Sequence, residues 1–201
     1  MLTVMFSDFE SVKKVLDLGV NINENTVSQK TALLLACEFS DLEIVKLLIQ
    51  YQALFTQDED EFNAMYCAIQ GDSFEVVKYF LEAGIYTITE RLFSDDYGWE
   101  NCLMIIYNPD YSPVEIKNKI RYLNLFLEHG IDIEYENDYS ETILLYVVRS
   151  MCLESLQILL EQGINVNHIM GDGNNVLMKT IQMDEICSNF DISVIKLLFK
   201  A

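Results

Sequence analysis

The sequence predicts an all-α solenoid with protruding fingers, in which one helix–turn–helix unit is repeated about six times. The first observation behind this prediction is an apolar helical signature, seen as Leu156-Gln-Ile-Leu-Leu160, that recurs along the 201 residues. The second is a glycine that follows most copies at a fixed distance. The third is a residue suited to cap a helix amino terminus at the start of each unit.

The signature marks the second helix of each unit. Its six copies begin at Val12, Val45, Val77, Leu123, Leu156 and Ile195. Successive copies are 33, 32, 46, 33 and 39 residues apart, so two intervals carry insertions. The helix-ending position, seven residues into each copy, is occupied by Gly19, Gln52, Gly84, Gly130 and Gly163. Glycine there favours the left-handed backbone that ends a helix, and glutamine is the one departure.

The first helix of each unit is predicted to begin after an amino-terminal cap. These caps are Thr31, Asn63, Asn101, Thr142 and Asn175, whose side chains can all accept a backbone N–H bond. The second helices show the S/D-x-x-E spacing of a capping box at residues 7–10, 40–43 and 72–75. Both helices of several units are therefore predicted to start independently.

Residues 140–167 resemble the ankyrin repeat, whose pattern is T-P-L-H-x-A-A, a short turn, then V-V-x-L-L-L-x-x-G-A-D-V-N. The matching residues are Thr142, Leu144, Val147, Val148, Leu156, Leu159, Leu160, Gly163, Asn165 and Asn167. The proline and histidine of the pattern are absent. The resemblance implies one domain, with repeats at residues 1–23, 24–56, 57–88, 89–134, 135–167 and 168–201. The last repeat is expected to be truncated.

Two insertions distinguish the fourth repeat. Ser112-Pro-Val-Glu115 combines a cap, a proline at the first helical position and a glutamate three residues after the cap. The second helix of this repeat is therefore predicted to extend backwards to Pro113. The finger at residues 85–100 is also longer than its counterparts.

Composition limits the classes of partner. The formal charge of −19 disfavours phosphate backbones and anionic lipid, and it favours a basic protein surface. Five widely spaced cysteines without a C-x-x-C pair indicate reduced thiols rather than a disulfide framework or zinc site. No segment is apolar over the length of a membrane span, and no targeting signal is visible. We expect a cytoplasmic monomer that binds neither nucleic acid nor membrane.

No motif indicates catalysis, a cofactor or a metal. His129 and His168 lie in different repeats, without cysteine or carboxylate at ligand spacing. The carboxylates at residues 58–61 are interpreted as a charged loop, and Gly171-Asp-Gly173 as a finger turn rather than a calcium loop. We therefore predict a non-enzymatic protein. An enzyme would require a pocket of perturbed titratable groups.

The resemblance implies that fingers and first-helix positions on a concave face bind a partner protein, and acids and aromatics coincide there. The candidate residues are Lys30, Glu38, Phe39, Glu59, Asp60, Phe62, Gln70, Tyr97, Glu100, Tyr107, Asp138, Tyr139, Glu141, Arg149, Asp172 and Asn174. An acidic inhibitor or immunity-type protein that masks a basic partner, such as a nuclease, is the alternative. The insertion at residues 108–119 is the next candidate surface.

Overall fold

The computed structural model describes residues 9–27, 30–55, 63–86, 92–94, 98–108, 114–184 and 192–199. The chain divides into two compact units, Met1–Thr87 and Ile88–Ala201, called unit 1 and unit 2. The division falls at the predicted junction between the third and fourth repeats.

The described elements of unit 1 are five helices joined by turns and loops. Its helices are α1 (Phe9–Asp17), α2 (Ala32–Glu38), α3 (Leu42–Gln50), α4 (Ala64–Gln70) and α5 (Phe74–Glu82). First helix α2 packs on the next first helix, α4, and second helix α3 packs on α1 and α5. Each repeat thus buries one face of its helices against its neighbour.

Unit 2 repeats this arrangement after a small hairpin. Its elements are β1 (Leu92–Ser94), β2 (Gly98–Glu100), α6 (Cys102–Tyr107), α7 (Ile116–Glu128), α8 (Ile143–Arg149), α9 (Leu153–Glu161), α10 (Val176–Asp184) and α11 (Ile192–Leu198). The strands pair antiparallel, with Phe93 opposite Trp99. First helix α8 packs on both α6 and α10, and second helix α9 packs on both α7 and α11. The all-α repeat fold is confirmed, with a hairpin that the sequence indicated only as a long finger.

The predicted caps of the first helices are confirmed. Thr31, Asn63 and Asn101 each accept a hydrogen bond from the backbone N–H three residues later, at 3.3, 2.8 and 3.0 Å. Asn175 does the same for Met178 N at 2.9 Å. Thr142 occupies the cap position without a side-chain bond. These bonds satisfy amide groups that the first turn of a helix leaves without a partner.

The predicted capping boxes of the second helices are wrong by one residue. Ser40 and Asp72 adopt left-handed backbone, with φ of 62° and 50°. The residues after them, Asp41 and Ser73, are the actual caps, and Asp41 accepts a bond from Ile44 N. In both turns, one left-handed residue therefore directly precedes the cap of the second helix. Ser7 lies outside the described residues.

The second helices end as predicted. Gly19, Gly84, Gly130 and Gly163 all have positive φ, between 64° and 81°. Gln52 adopts the same conformation, at φ 63°, although it carries a side chain. The position, rather than glycine itself, therefore defines the end of the helix.

Helix α7 is extended, but it begins later than predicted. It contains 13 residues, whereas α3 contains nine. Its cap is Glu115, whose ψ of 148° is extended, and Val114 before it is buried. The proposed cap at Ser112 cannot begin this helix because extended backbone at Glu115 interrupts it. Ser112 and Pro113 themselves lie outside the described residues.

First helices α6 and α8 lie in the middle of the core of unit 2. All six residues of α6 and the first six of α8 are buried. Large side chains that are fully buried include Phe80, Tyr107, Tyr122, Phe126 and Tyr146. The carboxy-terminal residues of the seven-residue first helices, Glu38, Gln70 and Arg149, are partly exposed. This limits which predicted residues can meet a partner.

Candidate protein-binding surface

One group of candidate residues comes together in unit 1. The ammonium of Lys30 lies 2.7 Å from the Glu38 carboxylate, and Phe39, the next residue, is 54% exposed. Gly71, which follows Gln70, approaches Glu38 so closely that an added Cβ would lie 1.9 Å from its carbonyl oxygen. Lys30, Glu38, Phe39 and Gln70 therefore form one surface, called here the unit 1 patch. Its two charges are paired with each other.

A second group lies on two fingers of unit 2, finger 5 (residues 131–141) and finger 6 (residues 164–174). Finger 5 carries the candidates Asp138, Tyr139 and Glu141. Tyr139 is 55% exposed, and Asp138 is exposed beside it. Finger 6 carries Asp172, which is exposed, and Asn174, which is partly buried. Arg149, at the end of α8, is also partly buried.

Asn137 organises the tip of finger 5. It is 5% exposed, and its Oδ1 accepts bonds from Tyr139 N at 3.0 Å and Glu141 N at 2.9 Å. Its Nδ2 donates to the Tyr146 hydroxyl at 2.9 Å and to the Glu141 carboxylate at 3.2 Å. The side-chain amide of Asn137 makes hydrogen bonds through both its oxygen and its nitrogen. It therefore fixes the backbone around Tyr139 before any partner binds. Sequence reasoning missed Asn137, although asparagine favours such turns.

Finger 6 supports finger 5 from the next repeat. Gly171 N donates to the Tyr139 carbonyl at 3.0 Å, and His168 Nε2 donates to the Ser140 carbonyl at 2.8 Å. A Cβ on Gly171 would lie 2.9 Å from the Tyr139 carbonyl oxygen, so this close approach favours glycine. The structure therefore places Tyr139 beside the turn that contains Asp172.

The charge of Asp172 is balanced within finger 6 and α10. Its carboxylate pairs with the Lys179 ammonium and accepts bonds from Asn174 N and Nδ2, both at 3.0 Å. The hydrogen bond from Lys179, followed by those from Asn174, holds the pKa of Asp172 well below its usual range. Asp172 therefore stays ionised while it contributes little uncompensated charge to the surface.

Two candidate residues are not on a surface, and the prediction is wrong for both. Tyr107 is fully buried, and its hydroxyl lies 2.6 Å from Ser155 Oγ and donates to the Lys119 carbonyl at 3.0 Å. Tyr107 follows its cap by six residues, as the buried Val148 does. The partly exposed Arg149 follows its cap by seven residues. Glu100, which ends β2 opposite Leu92, is also fully buried.

The remaining candidates, Glu59, Asp60, Phe62 and Tyr97, lie outside the described residues. Two separate groups are thus left, the unit 1 patch and the tips of fingers 5 and 6.

The described residues contain no group of three histidine, cysteine or acidic side chains that could hold a metal. A cavity of about 430 Å³ in unit 1 is lined mainly by apolar side chains, among them Val12, Val15 and Leu48, with Glu24 its one titratable residue. Burial raises the pKa of Cys67 to about 12, which keeps this thiol protonated and unreactive. Across the parts of the chain that the structure covers, every helix is too short or too polar to cross a bilayer.

Comparison with known proteins finds a similarity to ankyrin repeats. A family model for ankyrin repeats, in three copies, matches residues 1–90. A search of curated proteins finds no match. Among solved structures, similarity is found to a chain of the complex between the Bd0816 predatory endopeptidase of Bdellovibrio bacteriovorus and the immunity protein Bd3460. The TM-score is 0.76 and the identity 18%, over 98% of this chain and 95% of that chain.

At this identity, the structural similarity shows the fold alone, and it covers both units. The family match supplies the sequence evidence for the amino-terminal part. The ankyrin-repeat resemblance predicted from the sequence is thus supported by the family match over residues 1–90 and by a fold similarity over nearly the whole chain.

Proposed function

We propose that the chain is a non-enzymatic module that binds a partner protein with a basic surface through the tips of fingers 5 and 6. Ankyrin repeats are protein-interaction modules, and stacked repeats present extended surfaces for that purpose. The observation that carries the proposal is Tyr139, an exposed ring on a fingertip whose backbone is fixed by Asn137 and by finger 6. A large, rigid, exposed aromatic side chain is suited to be a binding hot spot.

Charge supports a basic partner. The formal charge is −19, and finger 5 adds exposed acids at Asp132, Glu134, Glu136 and Asp138. Such a field attracts a basic surface and speeds its association. The unit 1 patch is a second contact region of lower charge, because Lys30 and Glu38 neutralise each other. The buried free thiols are suited to a reducing, cytoplasmic compartment, where the chain acts as a monomer.

Affinity capture of a basic protein, followed by binding measurements on variants, tests this function. Tyr139→Ala should weaken binding of the captured partner by about tenfold or more, while thermal stability stays near that of the parent. Ile116→Ala is the matched control, since Ile116 is 60% exposed on α7, within the alternative surface. Loss of binding on Ile116→Ala, with Tyr139→Ala silent, would move the site to that insertion.

A second candidate function is that of an acidic inhibitor or immunity-type protein. The observation that favours it is the fold similarity to a chain from a complex that contains an immunity protein. A single basic enzyme, captured in one-to-one stoichiometry and inactivated by the chain, would support this function. Capture of several proteins whose activities do not change would favour a scaffold instead.

A further inference from the structure

Three hydrogen bonds join finger 6 to finger 5. Asn165 N donates to Glu134 Oε1 at 2.6 Å, His168 Nε2 to the Ser140 carbonyl at 2.8 Å, and Gly171 N to the Tyr139 carbonyl at 3.0 Å. Two of these bonds end on consecutive carbonyls, those of Tyr139 and the residue after it. The exposed ring is therefore attached to backbone that the neighbouring repeat holds.

The backbone at this tip is strained. Ser140 has φ 55°, a left-handed conformation that costs energy for a residue with a side chain. Such a conformation persists only where surrounding contacts fix it. Asn137 supplies contacts from within finger 5, and His168 supplies a side-chain hydrogen bond from finger 6 to the Ser140 carbonyl.

The two ring nitrogens of His168 face different groups. A carbonyl oxygen can only accept, so Nε2 carries a proton when it bonds Ser140. Nδ1 lies 3.8 Å from Glu136 Oε1, and the His168 side chain is only 17% exposed. Both ring nitrogens of His168 therefore lie against groups of finger 5.

We propose that His168 is a positioning residue for the binding surface, which holds the Tyr139 tip in its binding conformation through the hydrogen bond from its Nε2 to the Ser140 carbonyl. This inference rests on the proposed function of the fingers. Holding the tip in advance reduces the entropy lost on binding.

The first test needs no partner. The protection of the Gly171 amide against hydrogen exchange, corrected for intrinsic rates, is measured at one pH in the parent protein and in two variants. His168→Gln keeps a donor for the Ser140 carbonyl, so its protection should stay close to that of the parent. His168→Ala lacks the donor and should lose about tenfold in protection. Parent-like protection in His168→Ala would overturn the proposal.

The second test is a double-mutant cycle with a defined probe, a 12-residue peptide of alternating arginine and glycine. Tyr139→Ala and His168→Ala should each weaken peptide binding by about threefold or more, and His168→Ala should have no further effect in the Tyr139→Ala background. Additive losses would overturn the positioning role and leave the proposed function intact. If Tyr139→Ala changes nothing, the fingertip function fails, and the inference fails with it.

Discussion

Lys119 illustrates how a single buried charge affects unit 2. The residue is 6% exposed, and its ammonium lies 5.6 Å from the centre of the Tyr107 ring. Burial lowers the pKa of Lys119, since an ammonium group loses hydration in the interior. The ring face offsets part of this cost through a cation–π contact. The folded state is thus disfavoured whenever Lys119 must be charged.

We expect Lys119→Met to stabilise the protein at pH 7 by about 0.5–1 kcal/mol, because methionine fills a similar volume without a charge. The folded pKa of Lys119 lies below the unfolded value of about 10.4, so the penalty is complete below the folded pKa and vanishes as pH rises past the unfolded one. The advantage of the variant should therefore shrink towards pH 11. Urea unfolding of the parent and the variant at several pH values measures this difference in stability.

Lys117→Met provides the control for this prediction. Lys117 is exposed on the same helix and pairs with Glu115, so its replacement should change stability by less than about 0.5 kcal/mol. If both variants behave alike, burial of Lys119 is not the cause.

Single residues also show what the sequence could predict at this scale. The caps and helix-ending positions follow local backbone rules, so Thr31, Asn63 and Gln52 were assigned correctly. The side-chain direction of Tyr107 depends on a shift of one helical residue, about 100° around the axis, which the pattern did not fix. An error of one residue in helical register is therefore enough to assign a core residue to the surface.

Among the structural elements, the turns set the distance between repeats in unit 1. Gly71 ends α4 at an ordinary φ of −83°, so its backbone does not require glycine. It requires glycine because Glu38 of the preceding repeat lies against it, with 1.9 Å between an added Cβ and the carbonyl oxygen. The first-helix ends of repeats 2 and 3 thus meet through backbone atoms.

Gly71→Ala should therefore destabilise the protein by about 2 kcal/mol or more, because backbone atoms must move to relieve the overlap. Gly84→Ala is the matched control. Gly84 has φ 64° and nothing within 4 Å of an added Cβ. Its replacement therefore measures only the cost of placing alanine in left-handed backbone, about 1 kcal/mol. Chemical denaturation measures the free energy of unfolding of both variants. If Gly71→Ala loses no more stability than Gly84→Ala, the turns of neighbouring repeats can move apart at little cost.

Elements with purely local signals were predicted well, whereas those that depend on contacts were not. Residues 85–100 were expected to form a long finger, but pairing of β1 with β2 depends on contacts between separate segments. The start of α7 at Ile116 also departs from local rules, which favoured Pro113. The same holds for the candidate site. The sequence indicates the acidic and aromatic residues of the fingertips as candidates, but it does not indicate the contacts that Asn137 and His168 make with them.

Across a stack of repeats, stability arises from contacts between neighbours. Leu159 on α9 is fully buried, as its place in the repeat pattern predicts, and α9 packs on both α7 and α11. Loss of this side chain should affect the repeats on either side as well as its own.

Leu159→Ala should reduce the free energy of unfolding by about 2–5 kcal/mol, the range for buried leucines. Hydrogen exchange should also become faster in α7 and α11. Leu160→Ala, at a partly buried neighbouring position, should cost less. A loss below about 0.5 kcal/mol for Leu159→Ala would contradict the repeat packing of unit 2.

The net charge of −19 acts on the whole molecule in two opposite ways. Like charges repel within the folded protein, whereas they attract a basic partner. Added salt screens both interactions, because the Debye length falls from about 30 Å at 0.01 M to about 8 Å at 0.15 M. The same change of solvent should therefore stabilise the fold and slow association.

We expect the free energy of unfolding to rise between 0.01 and 0.15 M NaCl, and the association rate with the captured basic partner to fall by about tenfold or more. Urea unfolding measures the first quantity, and stopped-flow fluorescence measures the second. Tyr139→Ala separates the effect of net charge from that of the ring contact, because it leaves the charge unchanged. It should raise the dissociation rate but keep the same salt dependence of the association rate. An association rate that does not respond to salt would rule out charge steering and leave Tyr139 as a contact residue on an electrostatically neutral interface.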